Sequence, residues 1–390
     1  MRRRVYLDNN ATAPLLEAAR EAIESAMRAV AFGNPSSPHA FGHEARLALE
    51  ESRRELAAWL AVDPGELVFV SGGTESVNLA IQGAARAWTA SGKPPGHIVT
   101  SAVEHPAVLE SCRYLESTGW RLTILAVDGQ GRVDPAALRS ALSPDTALVS
   151  IMAANNETGV LQPGAEIAAV TRQAGVPLHV DAVQAAGRIA CKPASIGADY
   201  VSISSHKMGG PVGIGALWVR EGAPIKPLLL GGGQERRRRP GTESVMLAAG
   251  FAAAARAATQ TPMASKVEEI RLWMERTLME RLPSTRINGR QAPRLPNTTS
   301  LTFPGVDNET LVIRMDLEGF ALSTGSACST GSSRPSHVMA AMGLSAADAA
   351  STVRISLGPA STMPEIEELV ETLCAVVTDL RQAAPVGGRR

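Results

Sequence analysis

Short apolar runs that alternate with helical patterns predict an α/β fold built on a mostly parallel sheet. The alternation occupies roughly residues 65–220, and polar residues gather just after the apolar runs. Beyond about residue 259 the pattern changes to longer helices and fewer strands, so a second, smaller α+β domain is expected. A chain of 390 residues is also too long for one simple core, which makes two domains the natural expectation.

The elements follow in order. Leu67–Val70 reads as a strand and Glu75–Arg86 as a helix; His97–Thr100 is a strand before the helix Pro106–Glu116. Leu122–Val127 precedes Pro135–Leu142, and Leu148–Met152 precedes Ala165–Gln173. Leu178–Val180 and Tyr200–Ile203 complete the series. Strands this short and this apolar are buried on both faces, as in a parallel sheet covered by helices. Val245–Ala258 and Lys266–Arg281 read as helices that bridge to the second domain. There, strand Thr299–Phe303, helix Asn308–Glu318, strand Thr352–Leu357 and helix Glu365–Leu380 follow. The expected division is a large domain at 15–258, with 1–14 and 259–390 forming the small one.

Composition narrows the function. The formal net charge is zero, so nothing favours nucleic acid or an acidic membrane surface. No apolar stretch approaches the ~18–20 residues that cross a bilayer. The start, Met1-Arg2-Arg3-Arg4, leads into Asp8-Asn9-Asn10 without a signal-like apolar region, so a cytosolic location is expected. Four scattered cysteines (Cys112, Cys191, Cys328, Cys374) have no zinc-like or disulfide-framework spacing, and no metal is expected. Cys112 and Cys374 lie in apolar helical surroundings, whereas Cys328 lies in a run of small polar residues, Ser323–Ser333.

Polar groups after the strands define a crevice, because ligands of open α/β sheets bind beyond the carboxyl ends of strands. They are Ser71-Gly72-Gly73-Thr74, Glu104-His105, Asn155-Asn156-Glu157, Asp181 and His206-Lys207. Lys207 stands out because the chain has five lysines against 33 arginines. A lysine delivered from a strand end into a crowded pocket can act on carbonyls, and a Schiff base with pyridoxal phosphate is one such use. That cofactor asks for a carboxylate at its ring nitrogen, and Asp181 is placed for it. Asp181 could equally be a helix N-cap, with Gln184 its capping partner. Ser71–Thr74 opens a helix whose free N–H groups could hold a phosphate, or could simply be a cap. His105 could stack on a ring or shuttle protons. His179-x-Asp181 could be read as metal ligands, but no further ligands gather beside them.

Seven motifs in register decide among these alternatives. Asp8-Asn9-Asn10-Ala11-Thr12, Ser71–Asn78, Asn155–Gly159, His179–Gln184, Ser204–Lys207, Gly231–Glu235 and Gly325-Ser326-Ala327-Cys328 together resemble the cysteine desulfurases of the NifS/IscS type. These belong to the class V aminotransferase-like, fold-type I pyridoxal-phosphate enzymes, and the resemblance covers nearly the whole chain. It implies a mostly parallel, seven-stranded-type sheet, pyridoxal 5'-phosphate as cofactor and L-cysteine as substrate.

Residue roles follow from the same resemblance. Lys207 would carry the cofactor, Asp181 would pair with its ring nitrogen, His105 would stack and exchange protons, and Gln184 would hold the phenolic oxygen. Gly73, Thr74, Ser204 and His206 would hold the phosphate, with Thr242 completing the cup from the other subunit of a homodimer. Asn156 would line the cofactor and, with Arg354, bind the substrate carboxylate. Cys328 would take the sulfur as a persulfide and pass it to a protein acceptor, for example an iron–sulfur scaffold, or toward tRNA thiolation or a thio-cofactor. The chain departs from the family pattern at Ser205, often glycine, and at Pro240-Gly241-Thr242, often Ser-Gly-Thr. Arg237 and Arg238 look extra. Selenocysteine lyase chemistry, another class V aminotransferase or lyase, and a partner-dependent sulfur-relay protein are the competing readings.

Overall fold

The computed structural model describes residues 4–30, 32–260, 263–325 and 336–383. Its strands are β1 (Val5–Tyr6), β2 (Leu67–Val70), β3 (His97–Ser101), β4 (Arg121–Leu125), β5 (Thr146–Met152), β6 (Leu178–Asp181), β7 (Tyr200–Ser204), β8 (Gly215–Val219), β9 (Arg286–Ile287), β10 (Thr298–Thr302), β11 (Phe320–Ala321) and β12 (Thr352–Ser356). The helices of the first part are α1 (Glu17–Val30), α2 (Ala40–Leu60), α3 (Gly73–Ala90), α4 (Pro106–Ser117), α5 (Pro135–Ala141), α6 (Gly164–Ala174) and α7 (Pro193–Ile196). They are followed by α8 (Val245–Gln260), α9 (Met263–Arg281), α10 (Asn308–Leu317), α11 (His337–Ala341), α12 (Ala346–Ala349) and α13 (Met363–Ala383).

The larger sheet has seven strands in the order β2-β8-β7-β6-β5-β3-β4. β7, β6, β5, β3 and β4 pair in parallel, while β8 runs antiparallel to both of its neighbours. The sheet is therefore mixed, though mostly parallel. The reason is local: the link from Ser204 to Gly215 is too short for the crossover that parallel neighbours require, so the chain turns back beside β7. Side chains alternate between two buried clusters along each strand. Phe69, Val149, Ile151, Val201 and Ile203 face one, and Val68, Val70, Leu148, Tyr200 and Leu217 face the other. Burial on both faces explains why these strands are apolar runs without polar alternation.

A second core surrounds the antiparallel sheet β12-β10-β9 and includes residues of α9, α10 and α13. Val5 and Leu7 belong to this core, β1 pairs in parallel with β11, and Asp8 bridges to Ser356. Leu7 has no exposed surface, and burying a leucine fully stabilises by ~1.5–3 kcal/mol. This packing fixes the following segment, Asp8–Thr12, on which much of the crevice is built.

Candidate active site

Lys207 ends a short 3-10 turn, Ser205–Lys207, that continues directly from β7. Its Nζ donates to the carbonyls of Asn10 and Ala11, both at 2.8 Å. The Asn10 carbonyl also accepts from Gln184 Nε2 at 3.0 Å, so Lys207 and Gln184 meet on one oxygen. Gln184 Oε1 in turn accepts from Arg188 Nη1, and Arg188 Nη2 donates to the Asn9 carbonyl at 2.9 Å. Thr12 Oγ1 lies 3.0 Å from His206 Nδ1. One stretch of five residues thus touches Lys207, Gln184, Arg188 and His206.

The floor of the crevice is the end of β6. Asp181 is buried, and its Oδ1 accepts from the Val183 N–H at 3.0 Å. Burial pushes its carboxyl up to about 6, against the Val183 N–H and the nearby charge of Lys207. Beneath it His179 has no exposed surface and joins a chain of hydroxyls. Ser76 Oγ donates to Ser202 Oγ at 2.8 Å and lies 3.0 Å from the Ala216 carbonyl. His179 Nε2 is 2.9 Å from Ser202 Oγ, and its Nδ1 is 2.8 Å from Ser150 Oγ. Both ring nitrogens are occupied inside the sheet, and burial holds the imidazole neutral, down to about 3. His179 is a strut between β5, β6, β7 and α3.

His105 caps α4: its Nδ1 accepts from the Ala107 N–H at 3.1 Å. The neutral ring consequently carries its proton on Nε2. Burial first, then the charges of Lys207 and His337, bring the imidazole down to about 4. Next to it Glu104 is fully buried; Oε1 accepts from Ser101 Oγ at 2.6 Å and Met152 N at 3.0 Å, while Oε2 has no partner.

The start of α3 is an uncapped helix end. Its N-cap, Gly72, offers no side-chain cap, so the first N–H groups of the helix point outward from a positive helix end. The site is closely built: a Cβ on Gly73 would lie 2.9 Å from Val183 Cγ2. Ser204 Oγ is buried without a hydrogen-bond partner beside this turn. Thr74 is exposed at the helix start, and His206 is half-buried with its imidazole lowered to about 4 by burial, Lys207 and Arg188. In the first turn of α3, Glu75 accepts from Ser71 N at 2.6 Å and Arg239 Nε at 2.9 Å. Burial opposes its ionisation, but these donors hold the carboxyl below its ordinary value.

The segment that brings Arg239 to α3 contains three consecutive non-glycine residues with left-handed backbone, Glu235, Arg236 and Arg237, at φ 44°, 54° and 63°. Such conformations cost roughly 1–2 kcal/mol each. Glu235 holds the turn down: its carboxylate takes Arg53 Nη1 at 2.8 Å, Arg53 Nη2 at 2.7 Å and the Phe69 N–H at 2.9 Å. Thr242, on the same segment, is exposed.

Arg354 projects from β12 and is buried. Nη1 donates to the carbonyls of Asn156 at 2.9 Å and Gly325 at 3.0 Å, and Nη2 to Asp8 Oδ1 at 2.6 Å. The Asn156 carbonyl also accepts from Asn10 Nδ2 at 3.1 Å. Glu157 is buried beside Gly325 and accepts from Ser336 Oγ at 2.6 Å. Its carboxyl is raised by burial, against Ser336 and the charges of His337 and Arg354. Cys328 lies outside the described residues.

The structure thus brings Lys207, Gln184, His206, Asn156 and Arg354 onto residues 8–12, with Asp181 and His105 close enough to feel the charge of Lys207. Gly73, Thr74 and Ser204 lie together at the uncapped start of α3. Sequence reasoning gave no role to Asp8, Asn10, Glu104, Glu157 or Arg188. Arg188 was detectable, since it follows Gln184 by one helical turn and bonds its carbonyl. Glu104 and Glu157 stood beside assigned residues, and Asp8 and Asn10 belonged to a motif without an assigned use.

Comparison with known proteins identifies the family and the fold. The aminotransferase class-V family model matches residues 5–369. The cysteine desulfurase IscS of Dictyoglomus turgidum is 42% identical over 388 residues, covering 99% of this chain and 97% of that protein. Among solved structures, a NifS-like protein superposes with a TM-score of 0.88 at 34% identity, covering 96% of this chain and 100% of its own. SspA in complex with cysteine superposes with a TM-score of 0.80 at 34% identity, covering 92% and 99%. The chain belongs to the aminotransferase class-V family, on its cysteine desulfurase branch.

Proposed function

We propose that this protein converts L-cysteine to L-alanine with pyridoxal 5'-phosphate, and that Cys328 receives the sulfur. The observation that carries the cofactor assignment is a pair of unmet demands at one crevice. Asp181 is a buried carboxylate facing the charge of Lys207, and Ser204 Oγ is buried without a partner beside an uncapped helix start. A flat cation with a phosphate answers both, so the residues present fit the cofactor. The close relatives, named as cysteine desulfurases, support the substrate.

Each residue then has a task. Lys207 Nζ would hold the cofactor, Asp181 would pair with its ring nitrogen, and Gln184 would hold the phenolic oxygen. Ser204, His206, Thr74 and the Gly73 N–H would hold the phosphate. When bound, pyridoxal phosphate supplies an electron sink conjugated to the substrate α-carbon. Arg354 and Asn156 fix the substrate carboxylate, which presents the α-hydrogen toward Lys207 and His105. His105 would stack on the ring, and its proton on Nε2 would be available to the reacting groups because Nδ1 is committed to the Ala107 N–H. The Cys328 thiolate attacks the substrate sulfur: the carbon–sulfur bond breaks, a sulfur–sulfur bond forms, and the carbon takes up a proton to give alanine. A protein acceptor, such as an iron–sulfur scaffold, then takes the sulfur in a cytosolic setting.

A homodimer fits the same assignment, with Thr242 reaching the phosphate of a second copy. Its support is the exposure of Leu230 at 89% and Val212 at 72%, apolar residues with little cover in one chain. No helix among the described residues is long and apolar enough to cross a membrane. The large domain at 15–258 and the small domain at 1–14 and 259–390 would close on the crevice from two sides.

Purified holoprotein given L-cysteine and a reductant is expected to release alanine and sulfide in equal amounts. Lys207→Ala should abolish both and remove the cofactor's visible absorption band. Full turnover by Lys207→Ala would contradict the assignment.

A further inference from the structure

Arg354 already holds a carboxylate where a substrate's would go. Its guanidinium has five N–H bonds. Nη1 is committed to two main-chain carbonyls, at 2.9 Å and 3.0 Å. Nη2 donates to the Asp8 carboxylate at 2.6 Å, and Nε is buried with no partner among the described residues. A carboxylate binds arginine best through a fork of two parallel N–H···O bonds. With Nη1 taken, the edge left for that fork is Nε with Nη2. Asp8 holds Nη2 of that pair, and Nε is bare and closed to solvent.

We propose that Asp8 is a resident carboxylate on the substrate's arginine, one that neutralises Arg354 in the empty site and yields Nη2 to the incoming amino acid. This rests on the assignment of Arg354 to the substrate carboxylate. The need for such an anion is electrostatic. The Arg354 side chain is 2% exposed and Arg188 is a like charge close enough to bear on it. A buried cation left without a partner is strongly destabilising. The exchange is also mechanically simple. The Asp8 main chain is fixed, its carbonyl accepting from Ala11 N at 3.0 Å and from the Tyr6 hydroxyl at 3.0 Å. Only its side chain, which is 20% exposed, has to turn toward solvent.

The exchange replaces one carboxylate by another, so the charge at Arg354 is conserved, and the bare Nε gains an acceptor. A thiol-amine without a carboxylate cannot make that exchange. Asp8 therefore sets a threshold that only a carboxylate ligand crosses. It touches Arg354 and not the reacting atoms, so it is a positioning residue.

The test compares two probes on the holoprotein by calorimetry. 3-Mercaptopropionate has the carboxylate and thiol but no amine, and cysteamine has the amine and thiol but no carboxylate. In Asp8→Asn, 3-mercaptopropionate should bind with a roughly two- to tenfold lower Kd, the effect of losing one competing ion pair. Cysteamine affinity should not follow, and with cysteine the change should fall on KM rather than kcat. Arg354→Gln should lose 3-mercaptopropionate. If it binds that probe as wild type does, the assignment of Arg354 fails, and the proposal with it. If Arg354→Gln behaves as expected while Asp8→Asn binds the probe equally or more weakly, the Asp8 proposal alone is overturned. A crystal structure of wild-type holoprotein with 3-mercaptopropionate needs no variant. Asp8 turned away from Nη2 supports the exchange, and Asp8 still bonded there contradicts it.

Discussion

Glu104 and Asp181 are both carboxyl groups taken out of water with no cation bonded to them among the described residues, yet pH acts on them differently. Burial pushes Glu104 up to about 8, with Ser101 and Met152 N–H only partly offsetting it, whereas Asp181 rises to about 6. An unfolded glutamate ionises near 4.5. Between that value and about 8, the folded protein keeps a proton on Glu104 that the unfolded chain has released. Stability from this residue is therefore greatest below the unfolded value, declines as pH rises through the window, and levels off above about 8. Glu104→Gln keeps acceptors for Ser101 and Met152 and removes the titration. Its Tm should gain on wild type as pH goes from 5 to 8, by the equivalent of roughly a few kcal/mol. A gap between the two Tm curves that does not change with pH would contradict a buried, protonated Glu104. At this scale the sequence reveals residues that follow a strand, because a strand end is a local pattern: Asp181 after Leu178–Val180, Lys207 after Tyr200–Ile203. It hides Asp8, whose contact with Arg354 spans 346 positions and is made by packing of Val5 and Leu7 in the second core.

The turn at Glu235–Arg237 is the element whose conformation is least supported by its own residues. Its left-handed backbone is held by the bidentate Arg53–Glu235 pair, with side-chain exposures of 2% and 0%. Arg53 also lies over the Phe69 ring at 4.8 Å. Burial alone would lower the Arg53 guanidinium, but Glu235 and Glu50 raise it. Glu235→Gln keeps an acceptor for the Phe69 N–H while leaving Arg53 without its buried anion. It should destabilise by ~3–5 kcal/mol, read as a lower thermal midpoint. Adding Arg53→Met should recover part of that loss, and a double variant less stable than the single would overturn the pairing argument. Sequence gave no warning of this turn, since no glycine occupies 235–237. β8 also went unassigned. The run Ala216-Leu217-Trp218-Val219 was the available signal. The helices Glu17–Val30 and Ala40–Leu60 carry no site residue and went unassigned, whereas the strands of residues 65–204 were legible because both faces of the sheet are buried.

At the level of the whole molecule, the N-terminal segment leaves the second core and lands on Lys207, so the crevice depends on both hydrophobic cores. Gly325 and Ser336, the described residues on either side of Cys328, are tied to the same place. Gly325 is held by Arg354 at 3.0 Å, and Ser336 by Glu157 at 2.6 Å. The claim that joins these parts is that sulfur leaves cysteine for Cys328. Its most direct test is a single turnover: holoprotein mixed with L-cysteine without reductant, quenched, digested and weighed peptide by peptide. The account predicts one alanine per active site and a Cys328 peptide heavier by one sulfur atom. Alanine formed in that amount with no mass gain on the Cys328 peptide would contradict it.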